Sequence, residues 1–100
     1  MYKRKYRTLV CKDGFSMSVQ ASRTNYCSPR DDIGPYDSVE VGFPSQKESL
    51  LMPYCEDPEA PCETVYGYVP SLVIWEVINK HGGHDTGEVP PMFAGASSAR

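Results

Sequence analysis

The run from Pro70 to Gly82, Pro-Ser-Leu-Val-Ile-Trp-Glu-Val-Ile-Asn-Lys-His-Gly, constrains the fold more than any other stretch of the chain. A proline in the first turn, basic residues in the last and a glycine beyond it are the punctuation of a helix. Its strongly polar residues are Glu76, Asn79 and Lys80, which fall on one side, so most of the circumference calls for burial. Trp75 is the expected core anchor. A helix this apolar needs a broad surface to lie on, and the remainder of the chain reads as strands.

Arg7 to Cys11 and Phe15 to Ala21 are β-like runs on either side of Lys12-Asp13-Gly14, and Asp-Gly between such runs signals a hairpin. Phe15, Met17, Val19 and Ala21 alternate with Ser16, Ser18 and Gln20, which predicts the first set on the core face and the second in solvent. From Ser22 to Asp37 the chain turns to Ser, Asn, Pro, Asp and Gly, a long loop too polar to be cored and the first candidate for an interaction surface. Ser38 to Phe43 alternates again, with Val39, Val41 and Phe43 expected inward and Pro44 closing the strand.

Ser45-Gln46-Lys47-Glu48 fits a capping box and predicts a short helix bearing Leu50, Leu51 and Tyr54, cut off by Pro53. An acidic connector, Glu56 to Pro61, leads to a fourth strand over Glu63 to Val69, where Tyr66 and Tyr68, like Tyr54, are expected to edge the core. The order β-β-long loop-β-short α-β-α predicts an α+β fold: a four-stranded, mostly antiparallel sheet with the C-terminal helix packed on one face. With 100 residues the chain is a single domain, expected over 1–93, with a basic arm at 1–6 and a disordered tail at 94–100.

The charge is unevenly distributed. Lys3, Arg4, Lys5 and Arg7 crowd one end, whereas residues 31 to 63 hold nine acids and a single lysine, Lys47. Those acids are Asp31, Asp32, Asp37, Glu40, Glu48, Glu56, Asp57, Glu59 and Glu63, a solvated face favouring basic partners. No apolar run approaches the length of a membrane span, and the basic N-terminus is not followed by a signal peptide's apolar core, so a cytoplasmic protein is expected. Cys11, Cys27, Cys55 and Cys62 are spaced 16, 28 and 7 positions apart, without Cys-x-x-Cys knuckles, and read as free thiols.

Several chemistries compete for these residues. His81, His84 and Asp85 could join a distant cysteine around zinc, but their spacing matches no known site, and His81-Gly82-Gly83 is more simply a basic helix terminus followed by left-handed glycines. Cys27 beside Arg30 could be an activated nucleophile if a histidine lay close, though a lone loop cysteine is commonly inert. Asp31, Asp32, Asp37 and Glu40 lack the spacing of a cation loop. No catalytic residue, metal or other cofactor is called for. The basic arm, with Tyr2 and Tyr6 among its cations, could track a nucleic acid; the plainer reading is a partly frayed terminus. Tyrosines bury large area at little entropic cost, which singles out Tyr26 and Tyr36 in the long loop.

Gly14 to Ser22, Tyr26-Cys27-Ser28-Pro29-Arg30, Ser38 to Pro44 and Val69 through Gly83 together resemble small uncharacterised proteins of tailed bacteriophages and prophages, over about residues 8 to 92. The resemblance carries no catalytic motif; it implies a setting, the cytoplasm of a bacterial host, where small phage accessory proteins bind and block host enzymes or defence complexes. The expected function is therefore that of an accessory protein that modulates or inhibits a host protein by occlusion, for host takeover or anti-defence. Tyr26, Arg30, Asp31, Asp32, Tyr36 and Asp37 are the expected contact residues. The alternatives are a small metal- or thiol-dependent enzyme, or a nucleic-acid accessory factor.

Overall fold

A computed structural model describes residues 4–93. Its first element is the expected hairpin: β1 (Leu9–Cys11) pairs antiparallel with β2 (Ser16–Gln20) in the register Leu9 to Met17. Gly14 takes a φ of 98°, and the Asp13 carboxylate accepts the Phe15 amide at 2.9 Å to close the turn. β3 (Ser38–Gly42) pairs with β2, and β4 (Val65–Pro70) pairs with β3, both antiparallel. α1 (Ser71–Lys80) leaves β4, and β5 (His84–Thr86) follows it.

The sheet has five strands in the order β4-β3-β2-β1-β5, one more than expected. α1 therefore carries the chain from one edge of the sheet to the other, where β5 adds antiparallel to β1. Residues paired across strands share a face, so Leu9 with Met17, Val19 with Val41, and Val39 with Val69 line one side. Ile74, Val77 and Ile78 of α1 join that cluster, together with Phe15, Leu51 and Tyr66.

The helix follows its punctuation, starting one position after Pro70 and ending at Lys80, two positions before Gly82. Gly82 and Gly83 have φ of 89° and 108°, and their amides cap Asn79 and Ile78 in a Schellman arrangement. Its buried side is a stripe of Ser71, Ile74, Val77 and Ile78, narrower than expected; Leu72 is exposed. Trp75 is half-buried rather than central, because its indole N–H reaches out to the Phe93 carbonyl at 2.8 Å. That bond, with the Phe93 amide on the Tyr36 carbonyl, ties residues 91–93 to the domain; the tail expected at 94–100 lies outside the described residues.

The second expected helix does not form. The Ser45 hydroxyl accepts the Ser16 amide at the start of β2, and Glu48 turns inward to Leu50, Lys80 and His81, so neither is left to cap a first turn. A single 3₁₀ turn, Met52–Tyr54, remains.

The other face of the sheet is covered as well. Ser18 and Gln20 are buried, not solvated, because the N-terminal arm lies over them: the Gln20 carboxamide accepts the Lys5 and Tyr6 amides at 2.6 and 2.9 Å and donates to the Tyr6 carbonyl at 2.6 Å. The arm is thus pinned at residues 5 and 6 rather than frayed. Beside Gln20, Glu40 is also buried, accepting from the Asn25 side chain at 2.7 Å and the Tyr26 amide at 3.2 Å. Glu40 and Glu48 therefore leave the expected acidic surface.

Candidate functional site

Two places carry more chemistry than the fold requires. The first is the loop between β2 and β3. It is not wholly solvated as its composition suggests: Ser22, Asn25, Cys27 and Tyr36 are buried. The Ser22 hydroxyl donates to Asn25 at 2.7 Å, the Cys27 thiol points to the Ser22 carbonyl at 3.1 Å, and the Tyr36 hydroxyl donates to the Asp31 carbonyl at 2.7 Å. Tyr36, expected at the contact surface, is instead the loop's internal prop; burial pushes its phenol up to about 12.

What the loop presents outward is Tyr26, Arg30 and Ile33, with Asp31, Asp32 and Asp37 around them. Tyr26 is 45 % exposed and stacks on Tyr68 of β4, itself 48 % exposed, with ring centres 5.9 Å apart. The Arg30 guanidinium lies 5.7 Å from the Tyr26 ring centre while its Nε donates to the Asn25 carbonyl at 3.1 Å. Asp31 accepts the Gly34 and Ile33 amides, which hold its carboxyl below the usual range. Asp32 faces Arg23 at 3.4 Å, and Asp37 stands exposed.

Tyr68 does not edge the core as expected, and a bulge is the reason. Val39 pairs with Val69 and Val41 with Tyr66, so Gly67 and Tyr68 together oppose Glu40. Tyr68 takes a φ of 53°, a conformation costly for any residue with a Cβ, and its ring is carried outward to Tyr26. Phe43 has the same φ and is 40 % exposed, not inward-facing; these two are the described residues other than glycine at positive φ. Backbone strain at exposed aromatics is the kind of feature found at binding sites.

The second place is a buried cluster at the end of α1. His81 sits between two carboxylates, Nδ1 2.6 Å from Asp13 and Nε2 2.6 Å from Glu48, and its ring stacks on Phe15 at 4.2 Å. The other Glu48 oxygen receives Lys80 and the Leu50 amide, at 2.8 and 2.9 Å. Burial opposes charge on Glu48, but Lys80, the Leu50 amide and His81 outweigh it and draw its carboxyl down to about 2. Burial likewise opposes charge on His81, and the bonds to Glu48 and Asp13 overcome it, leaving the imidazole above its ordinary pKa. An imidazolium with both N–H groups committed is a clasp joining hairpin, 45–50 segment and helix; it has no nitrogen left to act as a base.

The thiol chemistry fares no better. Burial pushes Cys27 up, opposite to an activated nucleophile, and its hydrogen bonds run to Ser22 and Pro29 rather than to a histidine. His84 contacts the Gly87 carbonyl at 3.0 Å. All four cysteines are free. Among the described residues no group of His, Cys, Asp or Glu is assembled to hold a metal, and no helix is long and apolar enough to cross a membrane.

Among the described residues, fold and surface together define a small α+β domain with a five-stranded antiparallel sheet, one α-helix and an aromatic surface set on a braced loop. No family model matches the chain, and neither a curated protein nor a solved structure matches it.

Proposed function

We propose that this protein is a small phage-encoded binding module that docks on a protein of the host bacterium, in the host cytoplasm, and modulates or inhibits it by covering its surface. The observation that carries this reading is the exposed Tyr26–Tyr68 stack, capped by Arg30 and held by a loop whose own side chains are buried beneath it. Tyrosine and arginine are the side chains most enriched where interfaces are strongest. A braced loop also gives up little entropy on docking, so more of the contact energy appears as affinity. Asp32 and Asp37 at the rim speed encounter with a basic partner and set orientation more than strength.

The test is capture from host lysate with the full chain as bait, followed by titration of the recovered partner. Tyr26→Ala with Tyr68→Ala should weaken binding by well over tenfold, since each is a centre of contact. Asp32→Lys with Asp37→Lys should slow association in a salt-dependent way. A stoichiometric partner that binds the tyrosine variant as tightly as the parent chain would overturn this surface.

A further inference from the structure

Cys55 and Cys62 are gathered at one buried phenol. Cys55 follows the 3₁₀ turn and forms an antiparallel bridge with Tyr66 of β4, while the Glu56 amide donates to the Val65 carbonyl at 3.1 Å. From there the chain coils back in two tight turns, closed by the Ala60 amide on the Asp57 carbonyl at 3.0 Å and the Glu63 amide on the Ala60 carbonyl at 2.9 Å. The turns return Pro61 to Tyr66, whose hydroxyl donates to the Pro61 carbonyl, and Cys62 is the next residue. A fully buried tyrosine thus fixes both ends of the acidic connector: its backbone pairs with Cys55 and its hydroxyl holds the residue before Cys62. Burial pushes the Tyr66 phenol up, and the two thiols add to the shift, Cys55 as a hydrogen-bond partner and Cys62 through its charge, so both sulfurs lie near the same oxygen.

The four free cysteines are not equivalent. Cys11 and Cys27 are buried, and burial pushes both thiols up, away from the reactive thiolate. Cys62 is exposed and Cys55 half-buried, so an oxidant in solution meets Cys62 first and finds Cys55 at the other end of the same loop. The turns already hold that loop closed, which leaves little chain entropy to lose on joining its ends.

We propose that Cys55 and Cys62 form a reversible oxidation site, at which hydrogen peroxide joins them in a disulfide that closes residues 56–61 into a ring and an excess of small thiol reopens it. The Cys62 thiolate attacks one peroxide oxygen; the S–O bond forms, the O–O bond breaks, and the departing hydroxide takes up the proton the thiol gave, leaving Cys62 as a sulfenic acid and one water. The Cys55 thiol then attacks the Cys62 sulfur; the S–S bond forms, the S–O bond breaks, and a second water leaves with the Cys55 proton. Two electrons pass from the two sulfurs to the peroxide. In a reducing compartment such a bond is transient and regulatory rather than structural, which suits a pair joined only under oxidation. Neither cysteine belongs to the Tyr26–Tyr68 surface, so this disulfide and protein docking can fail separately.

The test treats the folded full chain with a small excess of hydrogen peroxide, alkylates the remaining thiols after unfolding, and digests with a glutamate-specific protease before mass spectrometry. Residues 49–56 should be recovered joined to residues 60–63, Cys11 and Cys27 should be alkylated, and prior treatment with dithiothreitol should leave all four thiols alkylated. In Cys62→Ser the Cys55 thiol should be consumed severalfold more slowly, since the exposed nucleophile is gone. In Cys55→Ser, Cys62 should run on to sulfinic acid or pair between chains. The proposal is overturned by any of four results in the folded protein: oxidation of Cys62 to sulfinic acid with Cys55 still free, dimers in place of the internal link, a disulfide that includes Cys11 or Cys27, or an unchanged rate at Cys55 in the Cys62→Ser variant.

Discussion

His81 and Glu48, 33 positions apart, meet at 2.6 Å in the interior, each almost wholly withdrawn from solvent and each holding a second partner of opposite charge. The pair decides how the fold responds to pH, and the sign follows from the two shifts. His81 is raised above 6.5, so the stability it contributes is complete below that value and lost as pH climbs through the raised one. Glu48 is lowered from 4.5 to about 2, so its share is complete above 4.5 and lost as pH falls through that interval; the shift is worth about 3 kcal/mol. Urea midpoints should therefore be highest between those limits, from 4.5 to 6.5, and His81→Asn should flatten the alkaline limb. A parent chain with no alkaline limb at all would mean that His81 is uncharged in the fold.

Removing Glu48 should cost far more than removing Lys80. Glu48→Ala strands a buried imidazolium and is expected to lose about 3–5 kcal/mol. Lys80→Met should lose less, about 1–2 kcal/mol, because the His81 ring and the Leu50 amide still hold Glu48. Chemical denaturation of both variants decides it; comparable losses would refute the clasp.

Tyr68→Gly should separate fold from function. Glycine relieves the left-handed backbone, so stability should hold or rise by up to about 1 kcal/mol, while capture of a protein partner drops. A loss of stability of more than about 1 kcal/mol would make the Tyr26 stack a structural contact instead.

Gly87 is expected to admit no side chain. Its φ is 86°, and a Cβ there would come within 1.9 Å of the Thr8 carbonyl oxygen. Gly87→Ala should destabilise by about 2–3 kcal/mol or more, and hydrogen exchange should quicken first at amides shared by β1 and β5. Unchanged exchange there would show that the backbone shifts freely.

Gln20→Leu should release the arm. Amide exchange at Lys5 and Tyr6 should accelerate, and stability should fall by about 1–3 kcal/mol as the buried bonds are lost. An arm whose exchange does not change would be held by something other than Gln20.

Much of the sheet was legible because half of it obeys alternation: Met17 and Val19, Val39 and Val41 point where their spacing puts them. The Asp13-Gly14 turn and the Gly82-Gly83 stop are equally local, each closed by hydrogen bonds to residues a few positions away. β5 was invisible because His84, Asp85 and Thr86 are all exposed, and a strand held by backbone pairing alone leaves no hydrophobic rhythm. Gln20, Glu40 and Glu48 read as solvent-facing because their burial depends on partners supplied from far along the chain. Ser45 and Glu48 show the same dependence from the other side: a sound local helix signal was drawn away by Ser16 and His81.

The candidate surface was legible in part. Tyr26 and Arg30 stand where a polar loop would put them, whereas Tyr36 went inside because its hydroxyl found the Asp31 carbonyl. Tyr68 and Phe43 were missed since nothing marks a non-glycine residue for positive φ, and the bulge opposite Glu40 shows only when both strands are paired.

β5 also sets an order of assembly. During synthesis the hairpin emerges long before His84 does, and until then the outer edge of β1 has its amides and carbonyls bare. A nascent or truncated chain ending short of Thr86 would offer that edge to any extended peptide nearby, its own siblings included, until the three exposed, polar residues of β5 arrive to occupy it.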